Sequence, residues 1–267
     1  MLEVKNITYK IDEKTILDDV SACFKPGVLN MIIGPNGSGK STLLKIICNE
    51  ITHYSGDVLY NDAVLSKKGK IAIAQKRAVL SQQSELSFPL AVEEVVMMGR
   101  YPHFNLSPSA KDKDICQQAL KRMNMEDFQY RNYLTLSGGE KQRVHFARAL
   151  AQIWEQPIPQ PHKWGAEDCR YLFLDEPIAS LDLNYQHEFL RITKEITGQN
   201  TVVVVVIHDI NLALQYADQV VLINKGKVIA NGLPSGVITA ENLFAVYGLK
   251  CRVLQNTNST FRYFIVE

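Results

Sequence analysis

The sequence has no long hydrophobic run and no obvious targeting segment. Its longest uninterrupted apolar stretch, Val202 to Ile207, is far shorter than the roughly 20 residues that a helix needs to cross a bilayer. The first residues contain no basic segment followed by an apolar one, so we expect no secretory signal and a cytoplasmic protein. Any role at a membrane would therefore depend on a partner protein.

Cysteine and excess charge are also scarce. The five cysteines are odd in number, widely scattered and never spaced as C-x-x-C, which indicates neither a disulfide framework nor a zinc site. The 29 basic and 28 acidic side chains leave a formal charge of +1, which does not suggest a nucleic-acid-binding surface. With 46% hydrophobic residues among 267, the composition is that of a globular protein with a sizeable core.

Short apolar segments followed by helical patterns predict an α/β fold with a parallel sheet. The predicted strands are 2–11, 16–24, 28–33, 171–175 and 202–207. The predicted helices are 40–49, 92–99, 110–123 and 139–152. The prolines within 156–161 predict an exposed connector, and the polar run 256–259 predicts the turn of a small hairpin.

Residues 34–42, GPNGSGKST, match the pattern G-x-x-x-x-G-K-[ST] between a predicted strand and a predicted helix. Its glycines allow backbone N–H groups to curl around phosphate oxygens, and the helix N-terminus adds positive potential. We expect Lys40 to contact the β- and γ-phosphates and Ser41 to bind Mg²⁺. The other expected nucleotide-binding residues of this loop are Gly34, Asn36, Gly37, Ser38, Gly39 and Thr42. The loop alone leaves kinases and GTPases as alternatives.

A second stretch, YLFLDE, ends a predicted strand in two adjacent carboxylates. Successive strand residues point in opposite directions, so Asp175 and Glu176 can have different roles. Asp175 would hold Mg²⁺ through water, and Glu176 would polarise the water that attacks a γ-phosphate. By itself the stretch is also compatible with a strand that ends in a solvated acidic turn.

A third stretch, residues 136–143 (LSGGEKQR), begins a predicted helix. The Ser137 hydroxyl, the N–H groups of Gly138 and Gly139 and the helix N-terminus form a second potential phosphate site. The alternative is an ordinary Ser-capped helix with Glu140 in its first turn. This stretch resembles the signature sequence of the ABC transporter ATPases almost letter for letter, and the resemblance extends over nearly the whole chain.

The resemblance implies one nucleotide-binding domain spanning 1–267. Its fold is that of a P-loop NTPase (RecA-like): a parallel-sheet core, an N-terminal antiparallel β region and an inserted α-helical subdomain. The core would comprise about 1–88 and 153–267, and the helical subdomain about 89–152.

The resemblance also assigns roles to residues outside the three stretches. Tyr9 would stack on adenine, the alternative being a strand tyrosine packed on the core. Gln82 would sense Mg²⁺ and the attacking water, although Gln83 beside it is a possible counterpart. Asp182 lies in a loop that crosses the dimer interface in this family, and His208 would hold the γ-phosphate.

ATP and Mg²⁺ are the implied cofactors, and the implied assembly is a homodimer whose two copies enclose two ATP molecules. The dimer would bind a transmembrane permease dimer and, indirectly, a periplasmic substrate-binding protein. We expect this protein to contact neither nucleic acid nor the cargo itself. These partners would place the protein at the cytoplasmic face of the bacterial inner membrane.

Three weaker similarities indicate the cargo. Residues 88–103, the proline-bearing insertion before Tyr171, and residues 182–187 resemble the ATPases of bacterial hemin (haem) importers. Importers of iron-siderophores or cobalamin remain open as alternatives. From other classes, a soluble ABC ATPase of DNA repair or translation and an ATP-binding regulator without turnover also remain open.

Overall fold

The computed structural model describes residues 1–64, 70–81, 86–154, 169–198, 200–255 and 262–266. Gln82, Gln83 and the proline-rich connector 156–161 lie outside the described residues, as does the predicted hairpin turn 256–259. No helix in the described part of the chain is long and apolar enough to span a bilayer.

Strands and helices alternate along much of the chain. The strands are β1 (Leu2–Ile11), β2 (Lys14–Phe24), β3 (Leu29–Ile33), β4 (Ser55–Tyr60), β5 (Ala63–Val64), β6 (Arg77–Leu80), β7 (Arg170–Asp175), β8 (Thr201–Val206), β9 (Gln219–Asn224), β10 (Lys227–Gly232), β11 (Cys251–Gln255) and β12 (Arg262–Val266). The helices are α1 (Lys40–Ile47), α2 (Lys70–Lys76), α3 (Val92–Met97), α4 (Ala110–Arg122), α5 (Gly138–Ile153), α6 (Leu183–Thr197), α7 (Ile210–Tyr216), α8 (Pro234–Val237) and α9 (Ala240–Tyr247).

These elements form two compact units, the first made of residues 1–67 and 190–267 and the second of 68–189. The predicted helical subdomain, 89–152, lies within the second unit, which also contains β6 and β7. The predicted subdomain boundaries therefore stay a prediction.

In the first unit, an antiparallel sheet has the order β2-β1-β4-β5. A second sheet contains the parallel strands β9, β3 and β8, with β10 antiparallel to β9. Every residue of β3 and β8 is buried, as expected for strands covered on both faces. The predicted α/β fold with parallel strands and an N-terminal antiparallel region is confirmed. Strands β11 and β12 pair antiparallel, which confirms the C-terminal hairpin.

In the second unit, β6 and β7 are parallel, and α5 contacts α3, α4 and β6. All three helices predicted in this region are present. The first of them ends as an α-helix at Met97 and continues as a 3₁₀ segment, Met98–His103. There Gly99 lies against α5, because a Cβ atom at this position would be 2.2 Å from the Arg148 carbonyl oxygen. Glycine thus permits this close helix packing.

Candidate functional site

The glycine-rich loop, residues 34–42, connects β3 to α1 in the first unit. Gly34 and Gly39 have φ angles of 154° and 106°, a region that residues with a Cβ atom rarely adopt. A Cβ atom at Gly34 would lie 2.1 Å from the Ile223 carbonyl oxygen, and one at Gly39 would lie 2.7 Å from Leu17 Cδ2. Backbone conformation and close packing therefore both require glycine at these two positions.

Hydrogen-bond donors collect inside this loop. Lys40 is 4% exposed, and its Nζ donates to the carbonyl oxygens of Gly34 (3.0 Å) and Pro35 (2.9 Å). Ser38 is 3% exposed, and its Oγ has no hydrogen-bond partner among the described residues. Helix α1 has no acidic residue in its first turn and no side-chain cap. The loop is thus suited to an anion with several oxygen atoms.

The other loop residues are more accessible. Asn36 and Gly37 are exposed at the tip of the loop, and Ser41 and Thr42 are half-buried in the first turn of α1. A hydroxyl in that turn is a suitable ligand for a hard cation bound to phosphate.

The β9–β10 turn supports the loop from behind. The Gly226 N–H donates to the Ser38 carbonyl oxygen (2.9 Å), and the Gly226 carbonyl oxygen accepts from the Asp18 N–H (2.9 Å). A Cβ atom at Gly226 would lie 2.4 Å from the Ile16 carbonyl oxygen. The sequence prediction missed this residue, whose only signal was a glycine after Asn-Lys between two apolar runs.

Two further predicted residues lie near the loop in the same unit. Tyr9 is half-buried and pairs across the strands with Leu17, the residue that packs against Gly39. His208 is exposed just beyond the carboxyl end of β8. Because β3 and β8 are parallel, with the Ile207 N–H donating to the Ile32 carbonyl oxygen (3.1 Å), His208 lies at the same sheet edge as the loop.

The two adjacent carboxylates lie in the second unit. Asp175 ends β7 and is 6% exposed, while Glu176 is half-buried and follows with φ 50°. A left-handed backbone at a residue other than glycine, asparagine or aspartate is uncommon and occurs often at functional sites. The Gln142 side chain donates to the Pro177 carbonyl oxygen (2.9 Å), which joins the segment after the carboxylates to α5. The prediction gave Gln142 no role, although it lies within the quoted LSGGEKQR stretch.

The LSGGEKQR stretch also belongs to the second unit, where Ser137 caps α5. The Glu140 N–H donates to Ser137 Oγ (3.3 Å), and the Ser137 N–H donates to the Glu140 carboxylate (2.7 Å). Hydrogen bonds that the Glu140 carboxylate accepts from the Ser137 backbone and side chain lower the pKa of Glu140, the one from the backbone most strongly. The capped-helix alternative is therefore correct as a description of local structure.

The start of α5 is accessible on one side and packed on the other. Ser137 and Gly138 are exposed, and a Cβ atom at Gly138 would meet no described atom within 4 Å. A Cβ atom at Gly139 would lie 3.6 Å from Leu181 Cδ2. Asp182 follows that leucine, and its carboxylate accepts from the Tyr185 N–H (3.0 Å), which caps α6. Its predicted contact at a dimer interface stays a prediction.

A buried pair lies beneath the same stretch. The Tyr133 hydroxyl and His145 Nε2 are 2.7 Å apart, and the two side chains are 1% and 2% exposed. His145 is therefore a buried packing residue. The pair joins the segment that precedes Ser137 to the second turn of α5.

The described site residues thus form two groups. The glycine-rich loop, Tyr9 and His208 belong to the first unit, and the carboxylates, Ser137, Gly138, Gly139 and Asp182 belong to the second. Gln82 lies outside the described residues. The roles of all these residues stay predictions.

Comparison with known proteins identifies the relatives of this chain. A family model described as ABC transporter matches residues 17–155. The hemin import ATP-binding protein HmuV of Agrobacterium fabrum is 39% identical over 93% of this chain and 92% of the relative. The protein of the same name from Pseudomonas fluorescens is 41% identical over 95% of this chain and 94% of the relative.

Solved structures agree with these sequence matches. An ABC transporter in an inward-facing conformation is 27% identical, with a TM-score of 0.80 over 100% of this chain and 97% of that chain. The ATP-binding cassette MJ0796, in a dimeric post-hydrolysis state bound to ADP and Pi, is also 27% identical. Its TM-score is 0.71 over 88% of this chain and 99% of that chain.

Proposed function

This chain belongs to the ABC transporter family as an ATP-binding subunit, and from this premise we propose that it hydrolyses ATP to energise the import of hemin through a membrane permease. The main supporting observation is that one chain contains two helix N-termini suited to phosphate, at Lys40 and at Ser137. The first binds the nucleotide. The second, exposed at Ser137 and Gly138, faces the nucleotide of a second copy.

The glycine-rich loop fits the triphosphate of ATP. When ATP is bound, the Ser38 hydroxyl donates a hydrogen bond to a phosphate oxygen. Lys40 Nζ then contacts the β- and γ-phosphates instead of the carbonyl oxygens of Gly34 and Pro35. Tyr9 stacks on the adenine. Mg²⁺ would be held by Ser41, Asp175 and Gln82, and its charge offsets that of the phosphates. The buried serine and lysine, both donors, support this fit.

Hydrolysis uses a water molecule and two side chains of this protein. Glu176 accepts a proton from the attacking water, and His208 donates a hydrogen bond to the γ-phosphate. The left-handed backbone at Glu176 fixes the direction in which its carboxylate leaves the strand. Asp182 contributes at the dimer interface, beside the loop that packs against Gly139.

Two copies form the working unit. Each ATP is bound by the glycine-rich loop of one copy and enclosed by Ser137, Gly138 and Gly139 of the other. The dimeric cassette structure with ADP and Pi supports this arrangement, since that protein is of the same family. ATP binding closes the pair, and hydrolysis reopens it.

A groove in the second unit is the proposed contact with the permease. It has a volume of about 670 Å³ and is lined by apolar side chains that include Met97, Tyr101 and Leu106. Its charged lining residues are Glu93, Glu94 and Lys113, so the carboxylates outnumber the ammonium group. Tyr101 is 59% exposed and Leu106 is fully exposed. Cytoplasmic segments of membrane proteins are rich in Lys and Arg, which complements the two carboxylates. The groove therefore suits a basic, partly apolar cytoplasmic helix of the permease.

Hemin is the proposed cargo because the curated relatives are named as hemin import proteins and are about 40% identical over nearly their whole length. Binding to the permease places the protein at the cytoplasmic face of the bacterial inner membrane. The hemin itself is delivered by a periplasmic binding protein and does not contact this chain.

Two measurements test the proposal. Glu176→Gln should still bind ATP, while its kcat falls by about 10²–10⁴-fold because the general base is lost. The matched control is Glu188→Gln, which alters an exposed hydrogen bond to Asn124 (2.8 Å) in the same unit and should hydrolyse ATP at the wild-type rate. Wild-type turnover by Glu176→Gln would refute the assigned role.

The cargo is tested by reconstitution with the permease in lipid vesicles. A binding protein loaded with hemin should stimulate ATP hydrolysis, and the same assay with iron-siderophore or cobalamin should not. Stimulation by iron-siderophore or by cobalamin, and not by hemin, would show that hemin is not the cargo. The absence of any Mg-dependent ATP hydrolysis would refute the proposed ATPase activity itself.

A further inference from the structure

The C-terminal hairpin, β11 and β12, is joined to helix α7 by the side chain of Asn211. The Phe264 N–H donates to Asn211 Oδ1 (2.8 Å), and Asn211 Nδ2 donates to the Phe264 carbonyl oxygen (3.4 Å). β12 also packs against α7. One amide side chain thus pairs with both backbone groups of a strand residue, much as a neighbouring strand would.

Helix α7 begins at Ile210, two residues after His208. Asp209 is its N-cap and accepts the Leu212 N–H (2.9 Å). The position of the first turn of α7 therefore fixes the backbone from which the His208 side chain projects.

This helix needs support from outside its own sequence. It has seven residues, fewer than the roughly 12–15 at which an isolated helix becomes even marginally stable. Ile210, Leu212, Ala213 and Tyr216 are buried on one face. Asn211 is on the exposed face, where the hairpin provides the contact.

We propose that Asn211 is a positioning residue: by bonding to Phe264 it allows the C-terminal hairpin to hold α7, and thereby His208, in the orientation that reaches the γ-phosphate. The inference rests on the proposed function, since it acts through His208. Only an amide supplies both the acceptor and the donor at this length. Asn211→Asp keeps the acceptor for the 2.8 Å bond and loses the donor, while Asn211→Ala loses both.

A double-mutant cycle on the full-length protein tests the proposal. The proteins are wild type, Asn211→Ala, His208→Ala and the double variant, and the readouts are kcat and KM for Mg-ATP. Asn211→Ala should lower kcat by about 2- to 30-fold with KM nearly unchanged, because mutations that act through another residue have effects of that size. In the His208→Ala background the same change should have no further effect on kcat.

Two further variants separate positioning from loss of structure. Asn211→Asp should have a kcat between those of wild type and Asn211→Ala, which keeps the test valid if the alanine variant folds poorly. The matched control is Asn231→Ala, which removes an exposed amide contact with Gln219 (3.1 Å) in the same unit and should leave kcat unchanged.

Each outcome decides between the claims. Wild-type kcat in Asn211→Ala, or an equal further loss in the His208→Ala background, would overturn the positioning role and leave the proposed function intact. Wild-type kcat in His208→Ala would overturn both the role of that histidine and the inference. The proposal is supported if kcat falls in Asn211→Ala and Asn211→Asp but not in Asn231→Ala, and if Asn211→Ala lowers kcat no further in the His208→Ala background.

Discussion

The buried ion pair between Arg100 and Asp112 allows a stability prediction with a defined magnitude. Arg100 Nε and Asp112 Oδ1 are 2.9 Å apart, and the two side chains are only 4% and 6% exposed. Arg100 also donates to the carbonyl oxygens of Ala151 (2.7 Å) and Trp154 (3.1 Å), at the end of α5. Asp112 accepts from the backbone N–H of Ser109 (2.9 Å), which caps α4. The pair thus ties together the 3₁₀ segment, α4 and α5.

Asp112→Ala would leave the Arg100 guanidinium buried without its carboxylate. Removing one partner of a buried ion pair costs about 3–5 kcal/mol of unfolding free energy. Since domains are stable by about 5–15 kcal/mol, this is a large share of the total. The matched control is Asp114→Ala on the same helix, whose exposed carboxylate contacts Gln118 (2.8 Å). It should change the free energy by no more than about 0.5 kcal/mol.

Urea denaturation at neutral pH, followed by circular dichroism, measures both variants. A loss below about 1 kcal/mol for Asp112→Ala, or one equal to that of Asp114→Ala, would refute the assignment of this pair as a major stabilising contact.

The pH dependence of the same pair has a predicted sign. Burial alone would raise the pKa of Asp112, but hydrogen bonds from Ser109 and the contact with Arg100 lower it below its usual value. The stabilisation is therefore present above the unfolded-state pKa of about 3.9 and is lost as the pH falls through the lower folded-state pKa. The difference between wild type and Asp112→Ala should be constant at neutral pH and shrink in acid.

Three further changes test other parts of the site. Ser38→Ala should raise the dissociation constant for ATP, measured by calorimetry, and should change the unfolding free energy little. The reason is that the Ser38 hydroxyl has no partner among the described residues until a phosphate binds. An unchanged affinity for ATP would contradict this. Tyr133→Phe should lower the unfolding free energy by about 1–3 kcal/mol, since the buried Nε2 of His145 loses its partner at 2.7 Å. A stability equal to that of wild type would argue against this hydrogen bond. Ser137→Arg should still bind ATP but form no ATP-dependent dimer in size-exclusion chromatography, and persisting dimers would count against the second phosphate site.

Much of the fold could be predicted because its signals are local. The run of valines in β8 and the apolar segment of β3 are short, fully buried strands, and burial on both faces gives an uninterrupted hydrophobic pattern. The glycine-rich loop combines a fixed spacing with a strand and a helix, so its position and conformation also follow from the sequence. The family assignment from these stretches is confirmed by the relatives.

Long-range contacts could not be predicted. The bond from Gly226 to Ser38 joins residues far apart in sequence, and nothing in the local pattern of the β9–β10 turn indicates its partner. The same holds for Gln142 and Pro177. For Asp182, the resemblance predicts a residue at the dimer interface. The contact that the structure describes for its carboxylate is the cap of α6, and any aspartate before a helix could provide such a cap.

The central claim is that each ATP lies between the glycine-rich loop of one copy and the Ser137 segment of another. The most direct measurement is a crystal or cryo-EM structure of the Glu176→Gln variant with Mg-ATP. We predict a symmetric dimer with two nucleotides, in which each γ-phosphate lies within hydrogen-bond distance of Lys40 from one copy and Ser137 from its partner. A nucleotide-loaded structure in which Ser137 is far from every γ-phosphate would contradict the account.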